Sequence, residues 1–513
     1  MDETRRPEKE RDPSAAEALA AWRELLGPGH VVEDGPRLEL AERATFATAQ
    51  RFLAVVEPKD RDEVAACLRV AVRYGVPLYP VSRGLNWGYG SSVAPQGGTV
   101  LLSLARLDRV VEFSEELAYV TVEPGVTFGR LAEFLRERGS RLLPPLTGTS
   151  PEASVVGNVL ERGVGKGPYE EMAAHGCAYE VLLADGRVVR TGFAAFNGAR
   201  AAAVRAEGPG PSLQGLFAQS NFGVVTRMTL WLEPAPEWRQ RVFFLVRGPD
   251  DLPPVVDALR GRMLRGGPWL QVELLNDYRF VAQTSQFPFG EFDPGEPLPR
   301  ARVALSMPAQ SDARWIGCAT LWAESLQELA LRRDTLSAAL AAANATPDCE
   351  EPTPGVDAAV EWGGLASAYW RKRQPMSAEP HPDRDRCGVI WIAPVLPMLG
   401  GAAAEAVELF ERVMPAHGFE PALSMRFAGG RSIQMLAGIL YDREEAGADE
   451  RAAACQDALR EALYERGLYP YRLGLRDMES PPPLEEPTAE LLRELKRLFD
   501  PQGIIAPRRY IRG

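Results

Sequence analysis

A glycine-rich turn from Pro80 to Ser92 constrains the fold of this 513-residue chain more than any other segment. It follows a short apolar segment, Val76 to Tyr79, that predicts a β-strand. Its last nine residues include three glycines, an asparagine and two serines. Because glycine lets backbone N–H groups approach a ligand closely, a concave turn of this kind is suited to a diphosphate group. An ordinary surface loop stays equally open, since turns are the usual position for glycine.

The side chains of the turn favour a binding loop. Trp87 and Tyr89 supply large surfaces, and Arg83 supplies a positive charge. The glycine spacing differs from the GxGxxG dinucleotide pattern, and no helical pattern follows at once. The turn therefore indicates a phosphate-binding loop outside the usual dinucleotide fold.

This turn resembles the flavin diphosphate loop of the vanillyl-alcohol oxidase and p-cresol methylhydroxylase family. Other segments resemble later motifs of that family and occur in the same order, so the probability that they agree by chance is very small. They are Val122 to Phe128, Val156 to Asn158, Glu161 to Gly165, Gly215 to Thr226 and Asp500 to Pro507.

The resemblance implies a two-domain α+β flavoprotein whose FAD-binding domain is interrupted by an α+β cap domain for the substrate. The order of predicted strands and helices also favours α+β with a mixed sheet. Pro234 to Pro236 marks a boundary. We expect residues 1–236 and 467–513 to form the FAD-binding domain and residues 237–466 the cap. Within the cap, Arg302 to Ser306 and Cys318 to Trp322 are predicted strands.

Composition and charge argue against several classes of protein. A formal net charge of −12 disfavours nucleic acid or an anionic membrane as a partner. No apolar run reaches the ~18 residues of a membrane span. The segment Met1 to Pro13 is charged, so we expect no signal peptide and a cytoplasmic protein. Six scattered cysteines without a CxxC pair and four separated histidines predict no metal site.

The resemblance implies FAD as the cofactor and assigns a set of residues to its site. These residues are Pro80, Ser82, Arg83, Gly84, Leu85, Asn86, Gly88, Tyr89, Gly90, Ser91, Ser92, Pro124, Gly125, Gly157, Asn158, Gly163, Gly165, Gly223, Val224, Val225 and Arg472.

The attachment of the flavin is expected to differ from that in some members of the family. Those members tether the flavin through a histidine or tyrosine on a late cap-domain strand. Alignment of Ile439 to Asp442 puts Gln434 or Met435 at the tether, with Tyr441 out of register. Neither Gln434 nor Met435 forms a histidyl or tyrosyl link, so we expect non-covalent FAD.

Tyr89, Tyr471 and Arg472 are the first candidates for chemistry. From composition alone, a surface arginine beside a half-buried tyrosine is the favoured interpretation of the Tyr471-Arg472 pair. In the family, a tyrosine of the glycine loop and a late Tyr-Arg pair bind the phenolic oxygen of the substrate. A phenolate requires a cation and hydroxyl donors at one oxygen, which these residue types supply.

Glu171 is the second candidate. The family has a Pro-Tyr-Gly-Asp run whose aspartate lies near the reactive flavin nitrogen, and this chain has Pro168-Tyr169-Glu170-Glu171. By spacing, Glu171 takes the place of the aspartate with one additional methylene, while Glu170 replaces the glycine. A solvated acidic pair on a loop is the alternative.

The resemblance implies an FAD-dependent oxidase or dehydrogenase that removes hydride from the benzylic carbon of a para-substituted phenol. The resulting quinone methide is hydrated, loses a proton to form an alkene, or closes on an internal nucleophile. A flavin oxidase of a non-phenolic alcohol or hydroxy acid and a catalytically silent flavin-binding protein stay open. The expected partners are a small phenolic substrate and either oxygen or a redox partner as electron acceptor, with a homodimer left open.

Overall fold

The computed structural model describes residues 13–266, 270–293, 295–307, 312–355 and 363–512. Most of the charged N-terminal segment, residues 1–12, therefore lies outside the described residues. Within the described ranges, no helix combines the length and apolar character of a membrane span.

The first sheet has four strands and lies at the base of the flavin domain. They are β1 (Val31–Val32), β2 (Phe52–Val56), β3 (Leu78–Val81) and β4 (Thr99–Ser103), in the order β1-β2-β4-β3. Strands β2 and β3 both run parallel to β4. Helices α1 (Pro13–Leu26), α2 (Pro36–Ala41) and α3 (Arg61–Tyr74) accompany this sheet. The Asp60 side chain accepts the Glu63 N–H at the start of α3, and Gly75, with φ of 66°, ends the helix.

Residues 110–234 contribute nine strands and two helices. The strands are β5 (Val110–Ser114), β6 (Tyr119–Val122), β7 (Leu142–Leu143), β8 (Leu146–Thr147), β9 (Gly165–Lys166), β10 (Gly176–Leu182), β11 (Val188–Arg190), β12 (Val224–Trp231) and β13 (Glu233–Pro234). The helices are α4 (Phe128–Glu137) and α5 (Val155–Leu160). Five of the strands form an antiparallel sheet in the order β11-β10-β12-β6-β5. Leu182 and Val224 join its core to that of the first sheet.

The cap consists of one large antiparallel sheet with helices packed against both of its faces. Its strands are β14 (Trp238–Val246), β15 (Leu270–Asn276), β16 (Trp315–Ala323), β17 (Pro347–Cys349), β18 (Thr353–Pro354), β19 (Cys387–Ile392), β20 (Val395–Pro397), β21 (Ala422–Ala428) and β22 (Ser432–Asp442). The main order is β17-β14-β16-β15-β21-β22-β19. The helices are α6 (Leu252–Gly266), α7 (Asp277–Thr284), α8 (Arg300–Leu305), α9 (Leu326–Ala342), α10 (Gly363–Ala366), α11 (Gly400–Ala416) and α12 (Ala448–Tyr464).

One strand expected in the cap is wrong. The segment Arg302 to Ser306 belongs to helix α8 and its end, and the Arg302 N–H donates to the Pro299 carbonyl at 2.8 Å. A short apolar segment fits both the two-residue period of a strand and the 3.6-residue period of a helix. Here Pro299, which precedes α8, begins the helical turn. The predicted strand Cys318 to Trp322, in contrast, lies inside β16.

The C-terminal segment returns the chain to the flavin domain. Helix α13 (Glu486–Phe499) carries Lys496, whose ammonium group donates to the carbonyls of Asn221 and Ile505 and pairs with Asp500. Ile505 then forms a parallel bridge with Leu78 of β3. The expected domain limits at residues 236 and 466 fall between β13 and β14 and just after α12.

Candidate active site

A cavity of about 1290 Å³, including its open mouth, lies beside the contact between the glycine loop and the cap sheet. The loop after β3 forms one wall, α5 and the start of β12 form another, and the cap contributes Trp391 of β19. Cavities of this kind are the usual sites for small molecules and cofactors.

Thirteen of the residues assigned to FAD from the sequence line this cavity. They are Pro80, Ser82, Arg83, Gly84, Leu85, Asn86, Ser91, Gly157, Asn158, Gly223, Val224, Val225 and Arg472.

The other eight assigned residues lie behind the wall, and most of them are glycines that allow close packing. They are Gly88, Tyr89, Gly90, Ser92, Pro124, Gly125, Gly163 and Gly165. A Cβ at Gly88 would overlap the indole of Trp391, and a Cβ at Gly90 would lie 2.7 Å from Leu475. A Cβ at Gly125 would overlap a backbone carbonyl. These glycines allow close packing behind the wall, and their assignment to the FAD site stays a prediction.

Several wall residues were not assigned from the sequence. Phe217, Gln219 and Ser220 belong to the Gly215–Thr226 segment that resembles the family. They were not assigned to the site, because the local sequence does not distinguish a cavity-lining residue from its neighbours. Glu161 likewise belongs to the Glu161–Gly165 segment but was not assigned to the site, whereas Trp391 and Arg509 lie outside every segment that resembles the family. The wall also includes Tyr79, Val81, Trp87, Leu104, Thr149, Ala153, Ser154, Leu160, Ile505 and Ala506.

The cavity fits FAD in three respects. Gly84 adopts a φ of 72°, and a Cβ there would overlap the Ser92 side chain, so only glycine suits this turn. The Oδ1 atom of Asn158 is inaccessible to solvent and has no hydrogen-bond partner among the described residues. Arg83 and Arg509 line the same cavity and supply positive charge for a diphosphate.

Tyr89, Tyr471 and Arg472 come together, and Arg472 is the member of this trio that lines the cavity. The Arg472 guanidinium carbon lies 3.7 Å above the ring centroid of Tyr89 and 5.4 Å from that of Tyr471. The backbone holds this arrangement, since the Leu475 N–H donates to the Tyr89 carbonyl at 2.7 Å. Gln219 also donates to the Tyr471 carbonyl at 3.0 Å.

The polar atoms of this trio are buried and unsatisfied. Neither the Tyr89 hydroxyl nor the Arg472 Nε has a partner with hydrogen-bond geometry among the described residues, although the guanidinium and the Tyr471 ring lie close to Tyr89. Burial raises the pKa of Tyr89, Tyr471 raises it further, and Arg472 lowers it in part. Burial lowers the pKa of Arg472, but Tyr471 and Tyr89 outweigh burial and raise it overall. The trio therefore offers a fixed cation and a neutral hydroxyl.

Glu170, rather than Glu171, is the buried carboxyl group of the Pro168-Tyr169-Glu170-Glu171 run. Glu171 is exposed, while the Oε1 atom of Glu170 is inaccessible to solvent and has no hydrogen-bond partner among the described residues. Burial raises the pKa of Glu170 to about 8, against the opposing effect of Arg426. The structure thus corrects the register across this loop, because the backbone turn formed by the Gly165 N–H and the Glu170 carbonyl directs the two side chains differently.

The inner face of the cap sheet carries charge. We call Gln271, Glu273, Arg426, Gln434 and Trp391 the cap-sheet face. Strand registers place Glu273 opposite Arg426, Arg426 opposite Gln434, and Trp391 opposite Gly438 on the same side. This side is turned toward the flavin domain, because Gln271 accepts the Gly167 N–H at 2.8 Å and the Trp391 N–H donates to the Gly88 carbonyl.

The residue that the cap presents to the cavity is Trp391, not the expected Gln434 or Met435. Met435 is fully buried on the other face of β22, and Gln434 does not line the cavity. Tyr441 is also buried on that other face, where its hydroxyl donates to Asp449 at 2.7 Å. An indole forms neither a histidyl nor a tyrosyl link, so the position next to the cavity offers no such tether.

The part of the chain that the structure describes contains no candidate metal site. No group of three or more histidine, cysteine, aspartate or glutamate side chains there could hold a metal ion. The histidines also do not line the cavity.

Comparison with known proteins agrees with a flavin site. A family model described as an FAD binding domain matches residues 52–192. The 1'-carboxy-chondrochloren decarboxylase of Chondromyces crocatus is 40% identical over 523 aligned residues, which cover 96% of each protein. The flavoprotein subunit of 4-cresol dehydrogenase (hydroxylating) from Pseudomonas putida is 26% identical, with 96% of this chain and 94% of that protein covered.

A solved structure reproduces the whole architecture. The crystal structure of p-cresol methylhydroxylase with substrate bound superposes with a TM-score of 0.88 and covers 97% of both chains at 24% identity. This likeness concerns the fold, with an interrupted flavin domain and a cap.

Proposed function

Because the chain belongs to the vanillyl-alcohol oxidase and p-cresol methylhydroxylase family of FAD-linked oxidoreductases, we propose that it oxidises the benzylic carbon of a para-substituted phenol. The observation that carries this proposal is the Tyr89, Tyr471 and Arg472 trio at the cavity. FAD accepts the hydride when it is bound. The finer assignment of a phenol rests on this trio and on the 4-cresol dehydrogenase relative.

The trio makes the phenolic oxygen the electron source. Arg472 supplies a fixed positive charge for a phenolate, and its unsatisfied Nε offers a donor. The hydroxyl groups of Tyr89 and Tyr471 supply further donors to the same oxygen. An ionised phenol pushes electron density through its ring to the para position, which makes the benzylic C–H a hydride donor. Stabilising that charge in a buried site is the main contribution of the protein.

Glu170 is the group we assign to proton transfer beside the reacting carbon. Its carboxyl group is buried and unpaired, and a general base with a pKa near the working pH is efficient. When a quinone methide is hydrated, the carboxylate form of Glu170 would take the proton of the attacking water. Glu171 is exposed and is left without this role.

A second outcome of the oxidation is favoured by the 40% identical relative, which is named a decarboxylase. A quinone methide accepts an electron pair from a bond that breaks on the carbon next to the benzylic one. When that carbon carries a carboxylate, loss of CO₂ supplies the electron pair and restores the aromatic ring. The specific observation on this chain is a pair of arginines at the cap-sheet face, the partly buried Arg426 and the buried Arg279.

The two other classes of function explain the site less well. A non-phenolic alcohol or hydroxy acid gives no reason for two tyrosines stacked around one arginine. A silent flavin-binding protein gives no reason to retain buried unsatisfied polar atoms, which cost about 1–3 kcal/mol each.

Anaerobic mixing with 4-propylphenol and with its O-methyl ether tests the proposed function. We expect the phenol to bleach the flavin absorbance and the ether to leave it unchanged, because the ether cannot form a phenolate. Equal bleaching by both compounds would support a non-phenolic oxidase. Bleaching by neither compound, nor by other para-alkylphenols, would support a silent flavoprotein.

The FAD is proposed to be bound without a covalent link, since Trp391 occupies the position next to the cavity. Acid precipitation of the protein is expected to leave yellow FAD in the supernatant. Colour that stays with the pellet would reveal a tether at another residue.

A further inference from the structure

Arg426 projects from β21 on the cap-sheet face and is only weakly paired. Its Nε and Nη2 atoms both reach the same oxygen of Glu273, at 3.3 Å each, which is long for a charge-assisted bond. Its Nη2 also lies 3.6 Å from the point that a Cβ at Gly148 would occupy. The side chain therefore reaches the boundary with the flavin domain. Burial lowers the pKa of Arg426, but Glu273, Tyr471 and Glu170 outweigh burial and raise it overall.

Arg279 of α7 adds a second positive charge to the same region. Its side chain is 4% exposed, and its guanidinium carbon lies 4.7 Å above the ring of Trp391. One nitrogen donates to the Ser367 hydroxyl at 2.8 Å, whereas Nε has no hydrogen-bond partner among the described residues. Its pKa is lowered to about 10 by burial and by the charge of Arg426, with Glu273 acting in the opposite sense.

The charges of this cluster do not cancel. Arg279 and Arg426 are two cations, and Glu273 is one carboxylate. Glu170 adds little negative charge at pH 7, because burial raises its pKa to about 8. Arg279 is buried and the Arg426 side chain is 23% exposed, and cations withdrawn from water are costly unless an anion balances them. The cluster is therefore one negative charge short.

We propose that Arg426, with Arg279 behind it, binds a carboxylate on the side chain of the phenolic substrate. This inference rests on the proposed function and names its substrate class: para-alkylphenols with a carboxylate on the carbon next to the benzylic one. Arg472 lines the cavity and is the partner for the phenolic oxygen, while Arg426 reaches Gly148, next to Thr149 in the cavity wall, and is the partner for the carboxylate. A planar guanidinium suits a carboxylate, since the two form parallel hydrogen bonds.

The chemistry balances for 3-(4-hydroxyphenyl)propanoate as substrate. Hydride leaves the benzylic carbon for FAD, and the phenolate becomes a quinone methide. The bond to the carboxylate then breaks, and its electron pair forms the new alkene while the ring becomes aromatic again. The products are 4-vinylphenol, CO₂ and two-electron-reduced flavin.

The subsite acts on binding and selectivity rather than on the breaking bond. An arginine stabilises the carboxylate more than the neutral CO₂ that leaves, so a tight pair does not speed the cleavage itself. We therefore expect the carboxylate to lower the dissociation constant and KM, with little gain in the rate of decarboxylation.

Equilibrium binding to the holoenzyme tests the subsite without turnover. The probes are 4-hydroxycinnamate and 4-vinylphenol, whose benzylic carbons are already unsaturated and give up no hydride. Binding is followed by the change in the flavin spectrum. We expect 4-hydroxycinnamate to bind about tenfold or more tightly than 4-vinylphenol, as a charge-assisted bond predicts. Equal affinities in the wild-type protein would overturn the proposal.

Variants separate the subsite from the phenol-binding trio. Arg426→Gln is expected to weaken 4-hydroxycinnamate binding about tenfold or more and to leave 4-vinylphenol unaffected. Arg426→Lys should keep part of the preference. Glu273→Gln should tighten the binding of 4-hydroxycinnamate, because it removes the competing carboxylate. The matched control is Arg431→Gln, which removes an exposed arginine from the turn between β21 and β22 and should change neither probe.

The outcomes distinguish this inference from the proposed function. If Arg426→Gln weakens both probes equally, Arg426 serves the phenol end or the fold, and the carboxylate subsite is overturned. The proposed function survives that result as long as 4-propylphenol still bleaches the flavin. If neither 4-propylphenol nor any other para-alkylphenol, 3-(4-hydroxyphenyl)propanoate included, bleaches the flavin, the proposed function fails. Should Arg426→Gln not fold, the wild-type preference and the Arg426→Lys and Glu273→Gln variants still decide.

Discussion

The two walls of the cavity are built by different means. On the flavin side, the Pro80–Ser92 loop depends on backbone conformation, with glycines at φ of 72° and 79° and Ser91 at 52°. On the cap side, the cap-sheet face depends on charged side chains, Glu273 and Arg426, that adjacent strands bring together from 153 residues apart. One wall is local in sequence and the other is not.

This contrast explains which wall carries which task. A backbone wall suits a cofactor common to many relatives, because it recognises a diphosphate without side-chain chemistry. A side-chain wall can change one residue at a time and therefore suits the substrate. The family resemblance therefore predicts the cofactor, whereas the substrate has to be inferred from individual side-chain contacts.

The largest expected effect is at Arg472, which lines the cavity and lies over the Tyr89 ring. Arg472→Met should slow flavin reduction by 4-propylphenol by at least about 10²-fold, because the lost charge is needed most where the transition state develops it. FAD should stay bound. Arg472→Lys should recover only part of the rate, since an ammonium group cannot reproduce the planar fork. Stopped-flow absorbance of the flavin measures the rates, and an unchanged rate in Arg472→Met would contradict the phenolate site.

Glu170 and Glu171 form the next comparison and a matched pair. Glu170→Gln should slow turnover of a hydrated substrate by about 10²-fold, as the loss of a positioned base does, while the exposed Glu171→Gln stays near wild type. Steady-state assays with product analysis measure both. Equal effects, or a larger loss in Glu171→Gln, would restore the register expected from the sequence.

The pH dependence sharpens the same comparison. The pKa of Glu170 is raised to about 8, so the carboxylate that acts as base gains population as the pH rises through about 8. Wild-type hydration should therefore rise with pH across that range, and Glu170→Gln should show no such step. Arg426 opposes the rise in this pKa and Glu171 adds to it, so Glu171→Gln should move the step to slightly lower pH.

Gly88 offers the smallest of the expected effects and tests the contact between the walls. Gly88→Ala puts a methyl group into the Trp391 indole, whereas Gly98→Ala, at a similar φ of 75°, meets open space. Both variants carry backbone strain of about 1–2 kcal/mol, and Gly88→Ala should lose about 1–3 kcal/mol more from overpacking. Urea denaturation of the holoenzyme measures the difference. Equal losses in the free energy of unfolding would show that the Trp391 side chain moves aside without an energetic cost.

The sequence predicted the parts of the site that depend on local backbone. The glycine loop and the Tyr471-Arg472 pair are recognisable because each occupies a short segment. The sequence does not separate positions such as Gly125, where glycine allows close backbone packing, from glycines that line the cavity, because both occur in the same kind of turn. Glu171 was preferred to Glu170 because spacing alone does not give the direction of a side chain on an irregular loop. Arg426 and Glu273 had no signal, since their pairing depends on strand order in the cap.

The most direct test of the account is a single-turnover experiment with 4-propylphenol that carries two deuterium atoms on the benzylic carbon. The account holds that the charge at Arg472 drives hydride loss from this carbon and from no other. Flavin reduction, followed anaerobically by stopped flow at saturating substrate, should be severalfold slower than with the unlabelled compound. Deuterium on the terminal methyl group should have no effect. Reduction at the same rate with benzylic deuterium would contradict the central claim.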